Sequence, residues 1–158
     1  MPRLDLRTVE TLANQLLLDL DSPPVPSGLV YGLDPVRELS VATVVLPRTV
    51  RGATKLSDDG SRWLVLLNRR DSEARRRFTL FHEGWHVLAG AGIAPRRDHL
   101  GPGYECSLAD HYAASVLMPR LWIPKDATAT SLANGFEVSR AAARTRLNSL
   151  ERRFAAAG

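Results

Sequence analysis

His82, Glu83 and His86, in the stretch "FHEGWH", have types and spacing that suit a divalent metal ion. On a helix, side chains four apart share a face, so both histidines can offer a ring nitrogen to one cation. Glu83 sits about one residue step round the helix, beside the ion and not on it. A carboxylate there can take a proton from a water that the ion activates and pass it to a leaving amine. That is the chemistry of metal-dependent peptide hydrolysis. In a chain of this make-up the pattern arises by chance on the order of one time in two hundred. Phe78, Phe81, Trp85 and Leu88 add apolar anchoring around the histidine stripe.

Such a site needs a third protein ligand and keeps a fourth position open. The compact astacin-type continuation requires glycine and histidine where this chain has Ala89 and Gly92, so it is absent. His99 falls in "GAGIAPRRDHLGPG", a glycine- and proline-rich loop that fixes a ligand poorly, and His111 lies further on. A downstream helix is the better source. In zinc peptidases of the thermolysin type, a ligand glutamate is followed four residues later by a group that hydrogen-bonds a ligand histidine and fixes its tautomer. "ECSLADHYAASVLMP" offers Asp110 for that second role, and four residues before Asp110 is Cys106.

Together, "RRFTLFHEGWHVL" (Arg76 to Leu88), "ADHYAASVLMP" (Ala109 to Pro119) and "FEVSRAAARTRLNSL" (Phe136 to Leu150) resemble the ImmA/IrrE metallopeptidases. The resemblance covers roughly the last two thirds of the chain. It implies His82 and His86 as zinc ligands, Glu83 as catalytic base, and a third ligand at the position of Cys106. The family usually carries glutamate there, and this chain departs from the pattern. One reading makes Cys106 a thiolate ligand in a His-His-Cys site, a donor set that zinc accepts readily, with manganese or another divalent ion as alternatives. In another, Glu105 swings in from the loosely registered start of its helix. An inert buried thiol is the third.

The resemblance also implies a protein substrate, a helix-turn-helix transcriptional repressor whose cleavage releases stress-response, prophage or mobile-element genes. A different class of function is a regulator that binds DNA or a repressor without cleaving, with a degenerate metal site. Tyr104 and Tyr112 are both candidate donors to an oxyanion. The family commonly places a bulky aliphatic residue and then glycine between the glutamate and the second histidine, whereas Gly84 here precedes Trp85. Glycine costs a helix up to about 1 kcal/mol relative to alanine, so packing around Trp85 is expected to compensate.

These residues need elements to hold them. Val9, Leu12, Leu16 and Leu20 have helical spacing over Thr8 to Leu20, and "DSPPVPSG" ends that helix. Asp34-Pro35 reads as the start of a short helix through Leu39. Val41 to Leu46 and Trp63 to Leu67 read as strands, with turn residues "SDDGS" between them, which predicts an antiparallel hairpin with a long arm. Asp71 or Ser72 caps a helix from Glu73 to about Leu88, and a second ligand-bearing helix runs from about Glu105 to Met118. Two more helical patterns lie near 127–134 and 138–154. The expected fold is α+β: a zincin-like core with a small antiparallel sheet packed on the histidine helix and a C-terminal helical subdomain. Residues 1–122 form the metallopeptidase domain and residues 123–158 the subdomain.

A chain of 158 residues with 44% hydrophobic and 24% charged residues fits one globular domain with a small appendage. No apolar run reaches the length of a membrane span and no signal peptide opens the chain, so a cytoplasmic protein is expected. The single cysteine excludes an internal disulfide. The net charge of +4 is mostly arginine, concentrated at Arg69-Arg70 and Arg75-Arg76-Arg77. No aromatic residues interleave there as base stacking requires, which favours a solvated surface over a nucleic-acid patch. "LANGFEVSRAAARTRL" also reads as half of a helix-turn-helix in which Arg140, Arg144 and Arg146 could meet phosphates. Packing on the core, beside the substrate groove, is the favoured role.

Overall fold

The histidine helix is the axis on which the other elements are stacked. Ser72 opens it: the hydroxyl accepts the Arg75 N–H at 3.3 Å, and Glu73 places a negative charge in the first turn. In the computed structural model, which describes residues 3–33 and 37–157, this helix is α2 (Glu73–Gly90). It follows α1 (Arg3–Leu16), β1 (Glu38–Val44), β2 (Gly52–Leu56) and β3 (Arg62–Asn68), and precedes α3 (Pro102–Leu117), α4 (Ala129–Phe136) and α5 (Arg140–Ala157). Phe81, Trp85, Val87 and Leu88 of α2 are buried. The helix packs on β2 and β3 on one side and on α3 on the other, and α1 covers α3 in turn.

The sheet differs from the expected antiparallel hairpin. Its strand order is β1-β3-β2, with β1 parallel to β3 and β2 antiparallel to β3. The "SDDGS" turn does close a hairpin, but the partner strand is "GATKL", whose small and polar residues carry no β-branched run. The chain reverses once more between Val44 and Gly52, and the buried Asn68 organises that reversal. Its amide nitrogen donates to the carbonyls of Leu46, Pro47 and Val50 (3.3, 3.1 and 2.7 Å), while its oxygen accepts the Leu46 and Arg70 N–H groups. An asparagine five ways bonded substitutes here for a local turn signal. The short helix expected at Asp34 to Leu39 falls partly on residues 34–36, outside the described residues. Glu38 and Leu39 belong to β1 instead.

Two features of α2 answer expectations about its packing. Trp85 is fully buried and its ring lies 5.5 Å from that of Tyr112. Gly84 is glycine because a 3-10 turn, Ser27–Gly32, and Leu33 press on the helix there. A Cβ at 84 would stand 2.8 Å from Leu33 Cδ1. The close approach offsets the helix-propensity cost.

The arginine run is not one surface. Arg77 is buried, donates to the Val25 carbonyl at 2.7 Å and faces Glu137 at 3.7 Å. Arg76 donates to the Asp71 carbonyl at 2.6 Å. Both therefore fasten loops. At the C-terminal end, a capping box between Thr128 and Ser131 starts α4, and Glu137 ends it in the left-handed conformation. Leu132, Phe136, Val138 and Ala143 join the hydrophobic cluster built by α2 and α3. Arg146 is buried and donates to the Met118 carbonyl at 3.1 Å, which removes it from any DNA-facing row. No helix among the described residues is long and apolar enough to cross a membrane.

Candidate metal centre

His82 and His86 project from one face of α2, as their spacing predicts. Their Nε2 atoms lie 3.3 Å apart. A tetrahedral zinc with nitrogen ligands at about 2.0–2.1 Å would set two such atoms about 3.3–3.4 Å apart, so this separation suits a shared cation. Cys106, from the first turns of α3, completes a cluster whose ligand atoms all lie within 4.8 Å of one another.

Asp110 stands one helical turn after Cys106 and meets His82 Nδ1 at 2.7 Å. With Nδ1–H donated to this carboxylate, the neutral ring leaves its lone pair on Nε2, facing His86. Burial pushes the His86 pKa down, against the pull of Glu83, which keeps that imidazole neutral and able to ligate. Burial, followed by the charges of Asp110, Glu83 and Glu105, pushes the Cys106 thiol up. Those three carboxylates favour a divalent cation in their midst, and a cation would in turn favour the thiolate. The donor set and its charge environment fit a metal ion.

Glu83 is buried beside the pair. Thr54 of β2 donates to its Oε2 at 2.5 Å and lies 3.3 Å from its backbone carbonyl. The approach is close enough that a Cβ at Gly52 would sit 2.8 Å from the Leu66 carbonyl oxygen and 3.3 Å from Glu83 Cγ. Nothing local in "GATKL" marked Thr54 as part of a site; the contact spans 29 residues.

His82, Glu83, His86, Cys106 and Asp110 all line one cleft of about 1040 Å³. Its remaining walls come from Val50 to Gly52, from Arg75 and Phe78 of α2, and from Ala142, Thr145 and Arg146 of α5. Most of the other sequence candidates stand outside this cleft. His99 sits in a short exposed turn, Asp98–Leu100, apart from the cluster. Glu105 accepts the Arg97 backbone N–H and so points to the loop before α3. Tyr104 donates its hydroxyl to Asp5 at 2.5 Å, and Tyr112 is wholly buried. Neither tyrosine reaches the cleft, so the expectation of a tyrosine oxyanion donor is not met. His111 does line the cleft, with its Nε2 3.9 Å from Glu10.

The family model described as the IrrE N-terminal-like domain of peptidase M78 matches residues 37–148, well over half of the chain. The chain belongs to this family. The IrrE-like match begins at β1 and ends within α5, so α1 and the turn after it lie before it. Among solved structures, a Mycobacterium tuberculosis transcriptional regulator superposes with a TM-score of 0.64 at 15% identity. The alignment takes in 89% of this chain and 46% of the regulator, so the chain spans about half of that protein's length. At this identity the likeness is one of fold, a mixed α+β arrangement with a small three-stranded sheet. No curated relative matches the sequence.

Proposed function

We propose that this IrrE-like chain is a zinc-dependent endopeptidase with a zincin-like core, in which His82, His86 and Cys106 hold the metal and Glu83 is the catalytic base. The observation that carries this reading is the approach of two imidazole nitrogens and one sulfur to within 4.8 Å of one another, beside a buried glutamate. Bound there, zinc would supply Lewis acidity and an open coordination position. Manganese or another divalent ion is the alternative occupant.

The chain's own residues divide the remaining work. Asp110 orients His82 through Nδ1. Thr54 occupies Glu83 Oε2, which leaves Oε1 to take the proton of the attacking water and hand it to the leaving amine. Among the described residues β2 pairs with β3 alone, so its other edge offers backbone groups to an extended peptide. Residues 123–158 act as a helical subdomain that closes the cleft from the far side through α5. The proposed substrate is a helix-turn-helix repressor, and the peptidase would act in the cytoplasm. Both the family and the regulator-type structural neighbour support a role beside transcription.

A co-expressed neighbouring repressor should be cleaved by the wild type and left whole by Glu83→Gln, with metal content equal in both. A second reading, a non-cleaving DNA- or repressor-binding regulator, draws on the cysteine at the ligand position. It predicts salt-dependent DNA retention that survives Glu83→Gln and no cleavage by either protein.

A further inference from the structure

The start of α3 offers two ligands in succession, Glu105 and Cys106, and a contact from outside the helix chooses between them. Asp5 of α1 is only 4% exposed. Its Oδ1 accepts Arg97 Nη2 at 2.8 Å, and its Oδ2 accepts the Tyr104 hydroxyl at 2.5 Å, with Arg97 Nε at 3.4 Å. One carboxylate thereby ties the loop before α3 and the first turn of α3 to the N-terminal helix.

The consequence is rotational. With Tyr104 turned towards α1, the residue two positions later is turned about 200° away, and Cys106 faces the histidines of α2. Glu105 lies between these directions, where Arg97 meets it: the backbone N–H of the same Arg97 that Asp5 holds by its guanidinium occupies the Glu105 carboxylate. Glu105 is not remote. It lines a recess together with Glu83 and His86, within the reach of a side-chain rearrangement.

We propose that Asp5, acting through Arg97 and Tyr104, is a positioning residue that presents Cys106 to the cation and withholds Glu105. The inference rests on the His82-His86-Cys106 reading of the site. Asp5 precedes residues 37–148, so the family match assigns it no role.

The test loads metal-free protein with Co²⁺, whose thiolate complexes show a near-ultraviolet charge-transfer band that carboxylate complexes lack. Asp5→Asn should lower that band at least about twofold at unchanged cobalt stoichiometry, because Glu105 then competes for the ion. Tyr104→Phe should lower it less. Adding Glu105→Gln to either variant should restore the band, a rescue that simple loosening of the fold would not give. A full band in Asp5→Asn, or no rescue by Glu105→Gln, would overturn the inference while leaving the ligand reading intact. No band in the wild type would overturn the cysteine ligand and the inference with it. Should thermal melts show Asp5→Asn unfolded, the Tyr104→Phe pair decides by the same criteria.

Discussion

The two segments that carry the proposed metal ligands are built in opposite ways. α2 is an 18-residue helix with a serine cap, buried along most of its length, and its two histidines face one point by helical spacing alone. α3 begins behind Gly101, a residue at φ 89° with no side-chain cap, and its cysteine is exposed. The facing of Cys106 depends on Asp5, 92 and 99 residues from its partners Arg97 and Tyr104. A regular helix carries half of the proposed metal centre by local geometry. The other half rests on contacts between segments far apart in sequence.

The contrast can be tested by removing groups from each side. The largest effect is expected at α2: Glu83→Gln should cut turnover by about 10²–10⁴-fold with metal retained, measured on a cleavable repressor or peptide. On the α3 side, Cys106→Ala should lose more affinity than the roughly 10–100-fold typical of an outer partner, whereas Glu105→Ala should keep its metal. Elemental analysis decides between them, and the reverse result would move the ligand to Glu105. Asp110→Ala joins the two sides and should weaken metal binding by about 10–100-fold in a chelator competition, since His82 loses the acceptor that sets its tautomer.

Stability offers two smaller tests. Gly84→Ala drives a methyl group towards Leu33, and overpacking should cost about 1–3 kcal/mol, less up to about 1 kcal/mol gained in helix propensity. Denaturant melts of the metal-free protein would show it. The smallest effect is acid sensitivity at the Asp5 lock. The Arg97 and Tyr104 hydrogen bonds hold the Asp5 carboxyl below its ordinary 3.8. Its contribution is therefore present above that value and lost as pH falls through the lower, folded-state pKa. Asp5→Asn should remove this acid limb; a melting profile below pH 3.8 that is identical in both proteins would refute it.

Much of the candidate site is legible in the sequence, because it obeys short-range rules. Spacing of four put His82 and His86 on one face, and the same spacing linked Cys106 to Asp110. Ser72 announced the helix that carries the histidines, and "SDDGS" announced a turn. Local pattern is silent where the chain relies on distant partners. "GATKL" has no strand pattern of its own and becomes β2 through pairing with β3, and the parallel alignment of β1 follows from a reversal held by Asn68. Arg77 and Arg146 looked like surface cations and are buried against carbonyls. Tyr104 looked like a catalytic donor and is spent on Asp5.

By itself, then, the order of residues determined where the helix of His82 and His86 and the helix of Cys106 and Asp110 form, and which pair of imidazoles can share an ion, since helix geometry converts spacing directly into direction. The tertiary structure alone decided that Thr54 braces Glu83, that Arg146 is spent on the Met118 carbonyl, and that Asp5 holds Arg97 and Tyr104. Those outcomes depend on hydrogen bonds and close packing between segments tens of residues apart, whose meeting no local pattern encodes.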